Sequence, residues 1–141
     1  MELRILVPVD GSKTAQRTIA ALAAARDRFS GPLTLLHVVD LERLAYRMIP
    51  DFQLEMIREH ARKSGEHLIE GHAADLRRAG LPVDTRLEFG YPRDVIRRIA
   101  NEEDFGLIII GRRGMGEIRD VLFGTVSNYL LHHVHKPVLL I

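Results

Sequence analysis

Short apolar runs alternate along this chain with longer amphipathic stretches, and the alternation predicts its elements. Leu3 to Val9 is almost continuously apolar, the pattern of a strand buried on both faces. Pro8 falls near its end, where a missing ladder donor is tolerable. Asp10-Gly11-Ser12 then turns the chain, and Ser12 stands where an N-cap belongs, ahead of a helix whose apolar face runs Ala15, Ile19, Leu22, Ala25 and Phe29. Gly31 and Pro32 are expected to close that helix. Leu33 to Val39 is a second strand, followed over 40–51 by a polar, irregular stretch of the length a lid or binding loop would have. From about Phe52 to Ala79 a long helix is expected, with Ile57, Ala61, Gly65, Leu68, His72, Leu76 and Ala79 as its buried stripe and Gly80-Leu81-Pro82 as its stop.

Val83 to Phe89 changes period. Val83, Thr85, Leu87 and Phe89 alternate with Asp84, Arg86 and Glu88, which predicts a strand with one wetter face, at a sheet edge. Pro92 opens a third helix, with Asp94 in its first turn and Val95, Ile96, Ile99 and Ala100 on its apolar side. Leu107 to Ile110 is a short buried strand, a final helix follows from about Thr125 to His133, and Pro137 to Ile141 is the last strand. Five strands alternating with four helices predict a parallel sheet with helices on both faces and right-handed crossovers, an α/β doubly wound fold. At 141 residues and 46% hydrophobic content, the chain fits a single domain over 1–141.

The stretch from Leu107 to Ser127 carries the chemistry. Glycines stand at Gly111, Gly114, Gly116 and Gly124, the last followed by Thr125 and a helical apolar pattern of Val126, Leu130, Leu131 and Val134. Glycine lets a ligand approach backbone N–H groups without a Cβ in the way, and a helix start adds unpaired donors and the positive end of the macrodipole. An anion, above all a phosphate, is the natural guest. The spacing is neither a Walker loop nor G-x-G-x-x-G after a first strand, and the glycines could equally do no more than turn the chain.

Gly111, two residues, Gly114, nine residues, Gly124 and Thr125 match the pattern G-x2-G-x9-G-[S/T]. This resembles the phosphate loop of ATP-binding universal stress proteins, and the likeness extends from Val7-Pro8-Val9-Asp10-Gly11-Ser12 to Lys136-Pro137-Val138-Leu139-Leu140. The resemblance implies strand order 3-2-1-4-5, with a switch point between the first and fourth strands, where doubly wound sheets bind ligands. It further implies ATP as ligand, with Mg2+ or Mn2+ held through the phosphates. Gly111, Gly114, Gly124 and Thr125 would surround those phosphates, with Ser127 adding a hydroxyl. The backbone of Val38 and Val39 would pair with the adenine edge, while their side chains read as core. Pro8 and Val9 before Asp10, and Gly116 and Val126 in the loop and helix start, complete the candidate site. Thr125 replaces the serine of many family members and keeps the hydroxyl.

Alternatives stay open at several of these residues. Asp10 either accepts hydrogen bonds from a ribose or adenine, the reading the resemblance favours, or closes an Asx turn that starts the first helix. Arg112 and Arg113 are either charge-assisted donors to phosphate or a solvated pair on a loop. His132, His133 and His135 invite a metal reading, but no His-x-x-x-His or supporting carboxylate at ligand spacing accompanies them. His60 and His67 read as surface, and His72 as a core histidine.

Charge and composition narrow the function. Twenty basic against nineteen acidic side chains leave a net charge of +1, so no field holds nucleic acid or an anionic membrane non-specifically. The absence of cysteine removes thiol chemistry, and with no signal-peptide core or membrane span the expectation is a cytoplasmic protein. No catalytic constellation emerges. The reading is therefore an ATP-binding regulatory, stress-response protein that acts as a dimeric switch on an unidentified protein partner, with a dimeric interaction protein independent of nucleotide, or a slow ATPase, as alternatives. Val138, Leu139 and Leu140, on an apolar edge strand at the chain end, are expected to pair with a second copy.

Overall fold

The apolar runs become the strands of one sheet. The computed structural model describes residues 3–29, 31–40, 50–112 and 125–141. Among these, β1 (Ile5–Pro8), β2 (Leu33–Asp40), β3 (Val83–Gly90), β4 (Leu107–Ile110) and β5 (Val138–Leu140) pair in parallel in the order β3-β2-β1-β4-β5. Among the described residues the helices are α1 (Lys13–Ala24), α2 (Asp51–Arg78), α3 (Pro92–Glu102) and α4 (Thr125–His133), with a 3-10 turn at Arg26–Arg28. The expected strand order is the observed one, and α4 has the bounds that its sequence pattern predicts.

Alternation along the central strands divides the core in two. Ile5, Val7, Leu33, Leu35 and Ile109 face α1 and α2, meeting Ile19, Leu22, Ile69 and Leu76. Leu6, Leu36, Val38, Ile108 and Ile110 face α3 and α4, meeting Ile96, Ile99 and Leu130. Strands buried on both sides need no polar face, which is why their runs are continuous in the sequence.

Two helices differ from expectation. The α1 helix stops at Ala24 and tightens into the 3-10 turn, so Ala25 and Phe29 lie beyond it and only Ala15, Thr18, Ile19 and Leu22 are buried on the helix itself. On α2 the buried stripe is Gly65, Ile69, Ala73 and Leu76, with Ile57, Ala61, Leu68, His72 and Ala79 only partly covered. The reason is length. A 28-residue helix spans about 42 Å, whereas an eight-residue strand spans about 27 Å. The turns before Gly65 therefore extend past the carboxyl end of the sheet, where the described residues offer them little core. At its other end α2 stops where the sequence says: Gly80 takes φ +91°, its N–H donates to the Arg77 carbonyl at 2.9 Å, and Leu81 N–H donates to the Leu76 carbonyl at 3.1 Å. This is a Schellman closure, with Leu81 and Leu76 in apolar contact beneath it.

The β3 strand forms a sheet edge, as its period-two pattern predicts. Thr85 and Leu87 point to α2, where the Thr85 hydroxyl donates to Glu70 at 2.9 Å. On the other face Arg86 donates to Glu88 at 2.9 Å and to Glu103, at the end of α3, at 2.6 Å. That hydrogen bond from Arg86 holds the Glu103 carboxyl below its ordinary value. Among the described residues no helix is long and apolar enough to cross a membrane.

Candidate functional site

The strand order places the ends of β1 and β4 side by side, with β2 on the far side of β1. The chain after β1 passes to α1 on one face of the sheet, while β4 leads towards α4 on the other, which makes this the switch point at which doubly wound sheets bind ligands. Asp10, Val38 and Gly111 all lie at this end. Arg113, Gly114, Gly116 and Gly124 of the expected loop, and most of the polar stretch over 40–51, lie outside the described residues.

At the β1 end, sequence chemistry sets the turn. One Asp10 carboxylate oxygen accepts the Ser12 N–H at 2.8 Å, and the Ser12 hydroxyl oxygen in turn accepts the Ala15 N–H at 3.1 Å. Asp10 thus closes the Asx turn and Ser12 caps α1. The carboxylate is exposed, and its second oxygen accepts nothing from the described residues. Turn-making and a ligand contact are therefore compatible in one side chain.

Backbone polarity distinguishes Val38 from Val39. Leu33 N–H donates to the Pro82 carbonyl before β3, whereas the Leu36 carbonyl accepts Val9 N–H at 2.8 Å from β1. Alternate residues of β2 therefore turn their peptide groups to opposite neighbours, so Val38 faces β1 and Val39 faces β3. The β1 pairing stops at Pro8 opposite Leu36, and the Val38 peptide looks into the place where β1 has left the sheet. Val39 stays in the β3 ladder opposite Phe89. The Val38 side chain is buried in the core, as its sequence reading has it.

At the β4 end, Gly111 fits for a steric reason. A Cβ on it would lie 2.0 Å from the Thr18 hydroxyl oxygen and 3.2 Å from the Thr14 methyl, both on α1. Its backbone is not in the left-handed region. The Gly111 carbonyl faces the Ser127 hydroxyl at a long 3.4 Å. Arg112 N–H donates to the Ile141 carbonyl at 3.0 Å, so that amide is occupied by the chain end, while the side chain is exposed. Thr125 and Val126 open α4 and are exposed, and Ser127, still in the first turn, is half-buried. A helix N-terminus with two hydroxyls therefore stands beside the end of β4, an arrangement suited to an anion.

The C-terminal histidines and a groove on α2 lie away from the ends of β1 and β4. His133 stacks on Tyr129 at 4.0 Å and its Nδ1 is 2.7 Å from the Tyr129 carbonyl, and the Asn101 side chain ties His133 and His135 to α3. A groove of about 330 Å³ between the overhanging part of α2 (Glu55, Arg58, Glu59, Arg62) and Phe89 lies at β3, two strands from Asp10. Its Arg62 already pairs with Glu59 and Glu66.

Sequence reasoning did not single out His37. Its Nδ1 lies 3.0 Å from the Val9 carbonyl oxygen, at the end of β1. A histidine inside the mostly apolar run Leu33 to Val39 is the available signal.

Comparison with known proteins gives this geometry a setting. The model of the universal stress protein family matches residues 1–141. A putative universal stress protein of Staphylococcus haemolyticus is 30% identical over 139 residues, covering 97% of this chain and 82% of that protein. The structure of the hypothetical protein MJ0577 superposes with a TM-score of 0.82 at 25% identity, covering 100% of this chain and 96% of that one. Two more distant structures share the fold. A universal stress protein family protein of Arabidopsis thaliana with AMP bound has a TM-score of 0.70 at 21% identity, over 99% of this chain and 90% of that one. A universal stress protein in complex with cAMP has a TM-score of 0.66 at 17% identity, over 99% and 96%. By the match along its whole length, this chain belongs to the universal stress protein family.

Proposed function

We propose that this protein binds an adenine nucleotide, ATP with Mg2+ or Mn2+, at the carboxyl ends of β1 and β4, and that occupancy regulates its contact with a protein partner. The observation that carries this reading is the company at one end of the sheet: the Val38 peptide turned to the end of β1, an exposed Asp10 carboxylate, and an α4 start whose Ser127 hydroxyl lies beside the Gly111 carbonyl. A base edge matches the first, a ribose or amine the second, and phosphate the third. Relatives holding AMP and cAMP support an adenine nucleotide as the ligand class. The cation would be held through the phosphate oxygens, and the Thr125 hydroxyl is the kind of hard oxygen donor it accepts.

The working unit is a homodimer joined through β5. Leu139 lies on this edge strand and is 38% exposed, while Val138 and Leu140 pack inwards. Pairing with a second copy would cover the edge.

A specific observation favours a second reading. The contact with Thr18 is enough to require glycine at Gly111, and the Ser12 N–H is enough to give Asp10 a structural role. A dimeric interaction protein without nucleotide would keep both residues. Native mass spectrometry of the purified protein separates the two. The nucleotide reading expects one ATP per chain with Mg2+ present; absence of any adenine-nucleotide adduct at millimolar ligand favours the alternative.

A further inference from the structure

The ladder between β1 and β2 ends in an unusual way. Register runs from Ile5 opposite Leu33 to Pro8 opposite Leu36, and the last bond is Val9 N–H to the Leu36 carbonyl at 2.8 Å. In a parallel pair the next bond would run from Val38 N–H to the Val9 carbonyl. That carbonyl instead takes the His37 imidazole, with Nδ1 at 3.0 Å. A carbonyl oxygen only accepts, so the ring carries a hydrogen on Nδ1. The other side of the ring is held by α2, where a Cβ on Gly65 would come within 3.3 Å of His37 Cδ2. The imidazole is thus wedged between the end of β1 and the first buried turn of α2.

We infer that His37 is a positioning residue that stops the β1–β2 ladder one bond early and so keeps the Val38 N–H and C=O open for the edge of a base. This rests on the nucleotide reading above for its ligand, but its backbone claim stands on the geometry alone. The side-chain donor satisfies the Val9 carbonyl, which would otherwise need a partner at this buried residue. The nearest backbone donor able to replace it is Val38 N–H, and forming that bond would close the slot. His37 does not touch the base in this account; it acts through Val9.

The test uses the full chain labelled with 15N, with His37→Leu to remove the donor and His37→Asn to put an amide nitrogen near the position of Nδ1. Two-bond imidazole correlations in the unmodified protein are expected to show His37 with its hydrogen on Nδ1; a ring protonated only on Nε2 would overturn the proposal. In nucleotide-free protein the Val38 amide is expected to exchange quickly, to slow at least tenfold in His37→Leu as the ladder extends, and to return in His37→Asn. Equal Val38 exchange in all three proteins would overturn it. Adenine-nucleotide affinity should fall about tenfold in His37→Leu and recover in His37→Asn. If the unmodified protein binds ATP and His37→Leu binds it equally well, the proposal fails while the nucleotide reading stands. If the unmodified protein binds no adenine nucleotide, that reading fails, and Val38 exchange still decides the role of His37. Should His37→Leu not fold, the tautomer and the Val38 rate in the unmodified and Asn proteins carry the decision.

Discussion

Gly111 at the end of β4 lies against Thr18 of α1 so closely that a methyl group on it would come 2.0 Å from the threonine hydroxyl oxygen. The glycine that opens the loop motif therefore also sets how near α1 approaches the sheet. Gly111→Ala should destabilise the fold by about 1–3 kcal/mol, the usual cost of overpacking. Thr18→Ala removes the obstructing oxygen, which donates to the Thr14 carbonyl at 2.9 Å, and its own cost should be small. The double variant should then be more stable than Gly111→Ala alone. Urea denaturation of the four proteins measures the coupling; strict additivity would show that Thr18 is not what Gly111 avoids.

Much of this architecture was legible in the sequence, and the misses share a cause. Ser12 as cap, Pro92 as first helical residue, Gly80 as stop and Thr125 as helix start are local instructions, each satisfied by residues within one turn. The α2 stripe was misplaced because Leu68 and Ile69, and His72 and Ala73, offer two adjacent apolar rows, and only the sheet decides which one is buried. The α1 end was placed too late for a similar reason, since the apolar period runs on through Ala25 and Phe29 after the helix has tightened. At the site, the Asx turn of Asp10 is local and readable from Asp10-Gly11-Ser12, whereas the duty of Gly111 is not, because its contact with Thr18 depends on how closely α1 approaches β4, which spacing along the chain does not encode.

Two glycines of α2 should respond to alanine with opposite signs. Gly71 is exposed and a Cβ there meets nothing within 4 Å, so Gly71→Ala should stabilise by about 1 kcal/mol through helix propensity. A Cβ at Gly65 would meet Leu87 at 2.9 Å and both His37 and Val39 at 3.3 Å. There the same propensity gain is outweighed, and Gly65→Ala should lose about 1 kcal/mol net. Thermal melts should place the two variants on either side of the unmodified protein, each displaced by roughly 2–4 °C.

The Arg86–Glu103 pair gives a pH signature. Hydrogen bonding to Arg86 depresses the Glu103 pKa in the folded chain. A depressed carboxyl contributes stability that is present above its ordinary value of 4.5 and is lost as pH falls through the folded value. Both side chains are partly solvated, so after screening the effect is only about 0.5 kcal/mol. Glu103→Gln should be less stable than the unmodified protein by that amount at pH 7, with the difference shrinking below pH 4.5. A difference that grows on acidification contradicts the assignment.

The β5 edge predicts an assembly. By register the peptide groups of Pro137, Leu139 and Ile141 turn to β4 and those of Val138 and Leu140 to the open edge. Leu140→Pro therefore removes an outward donor and should turn a dimer into monomer or aggregate. Leu139→Lys, which keeps the donor and adds a charge to the exposed position, should give soluble monomer. Light scattering at micromolar concentration checks both. An unmodified protein that is itself monomeric would show that this edge is covered in another way.

Calorimetric titration of nucleotide-free protein with ATP and Mg2+, at two temperatures and alongside Gly124→Val, bears most directly on nucleotide binding at the diverging ends of β1 and β4. The account predicts saturable binding of one ATP per chain, weakened at least tenfold (about 1.4 kcal/mol) in the valine variant, whose side chain would obstruct backbone approach to phosphate while circular dichroism and melting temperature stay unchanged. Absence of binding heat at millimolar ATP at both temperatures, or equal affinity in the two proteins, would contradict it.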